Sequence, residues 1–213
     1  MNDMRFVTLR KAMVDSQIRP NKVIDDQVIE AFSTVPRGLF VNRQMQELAY
    51  IDEDLHLSGG RFIIEAMVMA RMVQALKLTP SDNVMSIGAG NGYGAAILSS
   101  LAASVIAIET RIQMVEKAQQ IVAGLDIGNV AVVKSRLQDG YPSEAPYQGI
   151  IIEGGVEYVP QALFDQLSDG GHLVCVLRPR GLDVGEAVIW HKRSDHVTPK
   201  ALFTAQVPVL DEF

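Results

Sequence analysis

The spacing of apolar and polar positions changes period near residue 80. Over residues 4–18, Met4, Val7, Leu9, Met13, Val14 and Ile18 recur at roughly helical intervals until Arg19-Pro20-Asn21 ends the pattern. Asp25 is placed to cap a second helix carrying Val28, Ile29 and Phe32, which stops near Pro36 because the residue before a proline is driven out of the helical region. A third short segment with Phe40, Met45 and Leu48 leads to Ala49-Tyr50. Acids, His56 and Ser58-Gly59-Gly60 make residues 51–60 a loop. Residues 63–76 predict a strongly apolar helix ended by Thr79-Pro80, with Met67, Met69 and Met72 as core filling. These stripes need a covering surface. Residues 1–80 are therefore expected to form an N-terminal helical arm, packed either on the rest of the chain or on a second subunit in a homodimer.

Beyond residue 81 short apolar runs alternate with helical ones. Strands are expected at 83–87, 105–109, 130–133, 147–153 and 172–177, with helices at 93–101, 112–125 and 160–167 between them. Short buried strands separated by helices are the signature of a mostly parallel sheet covered on both faces, an α/β fold of the Rossmann-like kind, here over residues 81–213. The alternating residues 186–193 and the apolar stretch 201–210, with a turn at Asp195-His196, predict an antiparallel hairpin at one sheet edge.

Composition narrows the function class. With 25 acidic against 19 basic residues, the net charge of −6 gives no electrostatic reason to expect nucleic-acid binding. No apolar run approaches the roughly 20 residues needed to span a bilayer. The start, Met1-Asn2-Asp3-Met4-Arg5, carries no secretory pattern, so no membrane association and a cytoplasmic location are expected. Cys175 is the only cysteine, which excludes an internal disulfide, and its apolar neighbours mark it as a packing residue. His56, His172, His191 and His196 form no pair at helical ligand spacing, and no metal site is expected.

The chemistry-bearing feature is Gly88-Ala89-Gly90-Asn91-Gly92, directly after the apolar strand Val84-Met85-Ser86-Ile87 and before a helix. Glycines there allow a tight turn and close approach of a ligand to the backbone. Glu109 ends the next strand about 17 residues later, where a carboxylate can accept both ribose hydroxyls of a nucleoside. The other reading of Glu109 is an exposed acid at the start of the next helix. The G-x-G-x-G spacing, with Gly94 one place beyond the third glycine of the pyrophosphate fingerprint, favours a nucleoside without a diphosphate. Gly88, Ala89, Gly90, Gly92 and Glu109 are the candidate cofactor-binding residues.

Several separated motifs occur in order: Met13-Val14-x-x-Gln17, Val35-Pro36-Arg37-x-x-Phe40-Val41, Ala49-Tyr50-x-Asp52, Ile87-Gly88-x-Gly90-x-Gly92-Tyr93-x-Ala95-Ala96, Asn129-Val130, Ala145-Pro146-Tyr147 and Leu167-x-x-Gly170-Gly171-x-Leu173-Val174. By these the chain resembles the protein-L-isoaspartate O-methyltransferases over nearly all of residues 10–180. The resemblance implies a class I methyltransferase fold with a seven-stranded sheet and an N-terminal helical region. It implies S-adenosylmethionine as methyl donor, S-adenosylhomocysteine as product, and a protein or peptide carboxylate, that of isoaspartyl residues in damaged proteins, as acceptor.

The chain departs from the family pattern at the acceptor end. The Thr-Ile-Ser-Gln-Pro-like segment matches Phe62-Ile63-Ile64-Glu65-Ala66, which lacks both hydroxyls and the proline. Ser58 and Glu65 are the catalytic candidates that remain, and Glu65 facing the pocket would repel an anionic acceptor. The family's acid before the glycine turn matches Ser86. Its adenine-holding Gly-Asp-Gly matches Ser135-Arg136-Leu137, and Asp139 can take that role by a local shift. The small stretch after the fourth strand matches Glu153-Gly154-Gly155. Three readings follow: the family activity, a methyltransferase whose acceptor has changed so that Glu65 and Glu153 attract an amine, and an inactive relative that serves as a binding or scaffold protein.

Overall fold

Residues 4–213 are described by the computed structural model, and the reading of Met1-Asn2-Asp3 lies outside them. Helix α1 (Met4–Met13) runs into a π-helical turn at Val14–Ile18, so the expected helix over 4–18 is present with a change of pitch at its end. Helix α2 (Asp26–Thr34) begins where expected, because the Asp25 carboxylate accepts the amides of Gln27 at 2.9 Å and Val28 at 3.2 Å. Its first turn thereby gains partners the helix cannot supply itself. The segment with Phe40, Met45 and Leu48 forms three 3₁₀ turns, Arg37–Phe40, Arg43–Met45 and Leu48–Tyr50.

Residues 51–65 hold two short strands, β1 (Leu55–His56) and β2 (Phe62–Ile63), paired antiparallel around the Ser58–Gly60 turn. Helix α3 (Ala66–Leu76) consequently starts later than the predicted 63, since Phe62 and Ile63 are committed to β1. The amide of Glu65 at its start is accepted by Asp54 Oδ1 at 2.9 Å.

The core follows as β3 (Asn83–Ile87), α4 (Tyr93–Ser99), β4 (Ser104–Glu109), α5 (Ile112–Gly124), β5 (Val130–Lys134), β6 (Tyr147–Val156), α6 (Gln161–Asp165), β7 (Leu167–Leu177), β8 (Gly185–Arg193) and β9 (His196–Ala205). These strands form one seven-stranded sheet in the order β5-β4-β3-β6-β7-β8-β9, parallel from β5 to β7 and antiparallel at β8 and β9. Alternate residues of each parallel strand feed opposite faces. Val84, Val105, Ala107, Ile151 and Val174 join one apolar cluster, while Met85, Ile106, Ile108, Ile150 and Cys175 join the other. That period of two, buried on both sides, explains why the runs read as continuously apolar. After β3 the chain winds outward to β5 and then crosses to β6. The order therefore reverses beside β3, and the crevice at the carboxyl end of β3 is the expected ligand edge.

The hairpin departs from its prediction. Its second strand spans His196–Ala205, not 201–210, because residues 207–210 turn away from β8 and back to β6.

Residues 4–50 lie on the sheet face that holds α3 and α4, with Met13, Ile18, Phe32 and Phe40 in the same cluster as Tyr93 and Ala96. Arg37 is fully buried. Its Nε donates to Ala49 O at 2.8 Å, its Nη2 donates to Ile64 O at 2.9 Å, and its guanidinium lies 4.8 Å from the Tyr93 ring centre. Phe32 and Phe40 meet the same ring edge-on. Asn91 Nδ2 donates to Phe40 O at 2.7 Å. The motif residues of the arm thus brace the glycine turn from behind.

The Asp25 cap gives a direct test. Asp25→Ala is expected to cost about 1 kcal/mol in urea unfolding, whereas the neighbouring Asp26→Ala should change stability by only a few tenths. Equal losses from the two variants would remove the cap from the account.

Candidate functional site

Gly88, Gly90 and Gly92 all have positive φ, at 78°, 54° and 91°, so the turn between β3 and α4 follows a path closed to most side chains. The amides of Gly88 and Ala89 both donate to Ile108 O, at 3.1 and 3.2 Å, which locks the turn to β4. That places the end of β4, and hence Glu109, directly beside it.

Glu109 is completely buried and faces the turn, so its reading as an exposed helix-start acid does not hold. Its Oε2 accepts Gly90 N at 3.1 Å and Arg61 Nε at 2.9 Å. Its Oε1 accepts Arg61 Nη2 at 3.0 Å, Thr110 N at 2.7 Å and Arg111 N at 3.2 Å. Arg61 and Glu109 form a two-pronged ion pair with both side chains 0% exposed.

Two further segments close over the turn. Arg61 belongs to the loop joining β1 to β2, and Leu57 N donates to Arg61 O across that loop at 2.7 Å. The C-terminal segment docks at the end of β6: Gly155 N donates to Pro208 O and Leu210 N to Gly155 O, both at 2.9 Å. Leu210 is 1% exposed and lies against Gly88, its methyl carbon 2.8 Å from where a Cβ would stand, while a Leu57 methyl lies 3.2 Å from the equivalent point on Gly90. Arg61 Nη1 also donates to Asp211 O at 3.0 Å, and Glu212 receives the Thr110 hydroxyl and pairs with Arg111 at 3.2 Å. The Thr110 hydroxyl, with Arg111 and Arg61 behind it, holds the Glu212 carboxyl below the usual carboxylate range. The open space beside these groups is a cleft of about 470 Å³ bordered by Thr110, Arg136, Gln138, Glu212 and Phe213.

Taking a ribose on Glu109, as the resemblance implies, needs free acceptor positions on that carboxylate. A carboxylate offers about four lone-pair sites, and the donors already present use them. While those donors stay in place, the Glu109 carboxylate is closed to the ribose hydroxyls.

Ser86 and Glu153 form a second buried polar centre. The Ser86 hydroxyl bonds to Glu153 Oε1, and the carboxylate occupies the space a Cβ on Gly94 would need. An acid absent from β3 is therefore supplied from β6. Burial, opposed by the Ser86 bond and assisted by the charge of Glu109, pushes the Glu153 carboxyl up to about 7.

The remaining sequence candidates lie apart from this centre. Ser58 is exposed in the loop turn. Glu65 is half-buried at the start of α3, where burial and then Asp52, Asp54 and Glu53 raise its carboxyl to about 7. Asp139 is exposed and paired with Arg136 at 3.6 Å. A cavity of about 610 Å³ among Lys22, Arg71, Gln74 and Phe203 has no residue of the glycine turn in its lining. Sequence reasoning missed Arg61, Leu210, Asp211 and Glu212. The one available signal was a cation opening the apolar run Arg61-Phe62-Ile63-Ile64. It also missed the His172 and His191 rings, which stack 4.6 Å apart across β7 and β8 because those positions are in register.

Comparison with known proteins places these features in a family. The family model described as protein-L-isoaspartate(D-aspartate) O-methyltransferase matches residues 8–211. A protein-L-isoaspartate O-methyltransferase from Methanoculleus marisnigri is 36% identical over 171 residues, covering 80% of this chain and 78% of its own length. Protein-L-isoaspartate O-methyltransferase 1 of Rhodopseudomonas palustris is 39% identical over 169 residues, 79% of this chain and 69% of its own. A solved protein-L-isoaspartate O-methyltransferase superposes with a TM-score of 0.78 at 24% identity over 98% of this chain, which spans 65% of that structure. A Plasmodium falciparum structure named for the same family, solved with S-adenosyl-L-homocysteine, gives a TM-score of 0.78 at 18% identity over 96% of this chain and 99% of its own. The last two likenesses bear on the fold.

Glu153 makes stability depend on pH with a definite sign. Its carboxyl binds a proton more tightly in the fold, at about 7, than at the ordinary 4.5, so folding is favoured at low pH and weakened as pH rises from 4.5 through 7. Glu153→Gln is expected to gain on the wild type by an amount on the order of 3 kcal/mol between pH 5 and pH 8, read from urea midpoints. Glu65 contributes equally to both proteins and cancels. A difference that does not change with pH would show that Glu153 is charged throughout.

Proposed function

We propose, for a chain that belongs to the protein-L-isoaspartate(D-aspartate) O-methyltransferase family, that it is an S-adenosylmethionine-dependent methyltransferase whose acceptor is a protein or peptide carboxylate, that of an isoaspartyl residue. The observation that carries this reading is the placement of Glu109 at the end of β4, its carboxylate turned onto the Gly90 amide at the point where the strand order reverses. Gly88, Ala89, Gly90, Gly92 and Glu109 form the cofactor end. On this reading the turn containing Asp139, whose neighbours Arg136 and Gln138 border the cleft, would take the adenine, and the segment from Ser58 to Glu65 would take the acceptor. An ionised carboxylate acceptor needs no general base, so these residues have to bind and orient rather than move protons.

No helix among the described residues is long and apolar enough to cross a membrane.

The test is calorimetric titration with S-adenosylhomocysteine together with an assay of methyl-ester formation on an isoaspartyl peptide. Saturable binding, lost in Glu109→Gln, and ester formation are expected. Absence of both at millimolar ligand would remove the reading.

The acceptor side has its own pH signature. With its carboxyl near 7, Glu65 gains negative charge as pH rises through neutrality and repels an anionic acceptor. Activity on the peptide is expected to fall above pH 7 through a rising KM, and Glu65→Gln to flatten that fall by about threefold to tenfold at pH 8. An unchanged KM profile would place Glu65 outside the acceptor path.

A further inference from the structure

The cofactor end of the site is filled by the protein itself. Glu109 has no lone pair left for a ribose hydroxyl, because Arg61, Gly90, Thr110 and Arg111 all donate to it. Leu210 rests on Gly88 and Leu57 on Gly90, where a ligand would approach the turn. The ring of Phe62 presses on Gly154, with a carbon 3.1 Å from the position of an added Cβ. These contacts come from two separate stretches that also hold each other, through Arg61 Nη1 to Asp211 O and Arg61 Nη2 to Glu212.

We propose that Arg61 and residues 207–213 are an internal occupant of the nucleoside site, which competes with S-adenosylmethionine for Glu109 and the glycine turn and must withdraw before the cofactor binds. The proposal rests on the functional reading above and deepens it by adding a regulated step to the same site.

Three features suit the segment to release. It is short, seven residues from Val207 to Phe213. Its backbone is held to β6 by the two bonds at Gly155 and to the β7–β8 connection by Arg178 Nη1 donating to Val207 O at 2.8 Å. Only Val207 and Leu210 are deeply buried along it, at 1% each, while Val209 is 47% exposed and Glu212 has 46% of its side chain exposed. Arg61 sits next to Gly59 and Gly60, both at φ 69°, where the backbone can reorient without a side-chain penalty. Arg61 withdrawn from Glu109 can keep Glu212 as a counter-charge near water. A ligand that binds only the open form draws on the open population, so its apparent affinity reports the closing equilibrium.

The experiment uses the full chain and S-adenosylhomocysteine as probe. Calorimetry is run on the wild type, on Arg61→Gln and on Glu212→Gln, and hydrogen–deuterium exchange is followed with and without the probe. Arg61→Gln is expected to bind about tenfold more tightly than wild type and Glu212→Gln severalfold more tightly, in proportion to the open population each exposes. In the wild type the probe should speed exchange over residues 207–213 and slow it over 88–92. Equal affinities in all three proteins, with exchange at 207–213 unmoved by bound probe, would overturn the proposal and leave the methyltransferase reading standing. No binding in any of the three would overturn both. Tighter binding in the variants without ester formation on the isoaspartyl peptide would support the internal occupant while removing the acceptor. Should Arg61→Gln fail to fold, Glu212→Gln and the wild-type exchange decide the matter by themselves.

Discussion

The buried pair between Arg61 and Glu109 is the joint on which the ligand edge of this protein is built. Taking two charges out of water is costly, and such a pair holds only when geometry and surrounding hydrogen bonds offset that cost. Here both prongs are within 3.0 Å, and the remaining oxygen and nitrogen positions meet Gly90, Thr110, Arg111 and the Asp211 carbonyl. The pair therefore fixes three stretches at once: the end of β4, the loop from Leu57 to Phe62, and the chain's last residues. Removing one member would strand the other charge in the interior. The same pair thus gives the ligand edge its closed shape and keeps a ligand from it.

A second rearrangement runs through the same edge and obeys the same rule. The acid expected on β3 is Ser86, and a carboxylate returns to the spot from the neighbouring strand as Glu153. It fits only because Gly94 has no side chain. With Glu109 neutralised by Arg61, a second full negative charge close by would have no cation in direct contact, and Glu153 meets this by holding its proton up to neutral pH. Two acids in one buried edge are tolerated because one is paired and the other titrates.

How much of this was legible in the residues divides along physical lines. The strands were readable because burial on both sheet faces leaves an unbroken apolar run, and β3 falls at Asn83–Ile87 as the spacing predicts. Asp25 announced its helix by a local bond to amides two and three residues away. Glu109 could be assigned because the register of adjacent parallel strands carries it to the turn. Arg61 and Leu210 could not, since what they touch lies 48 residues away for Arg61 and Glu109 and on the far side of the chain for Leu210 and Gly88. The apolar character of residues 207–210 was correctly seen and then given to an edge strand, because a run that buries itself against a glycine turn has the same composition as one that pairs in a sheet. For Asp139 the motif spacing located its turn, and its side chain there is exposed and paired with Arg136.

Family membership and a closed site are compatible once the site is treated as an equilibrium. The frame that the family likeness covers, from the braced turn at Tyr93 to the reversal of strand order beside β3, is intact and buried. What closes it is drawn from the two-strand loop and residues 207–213, which share few backbone bonds with the sheet. A core that is rigid with an edge that is not is how a binding site acquires a conformational threshold. Each factor of ten in the closing equilibrium raises the concentration of ligand needed by the same factor without altering a single contact to it. Arg61 sets that threshold because it binds the one carboxylate that the ligand also needs.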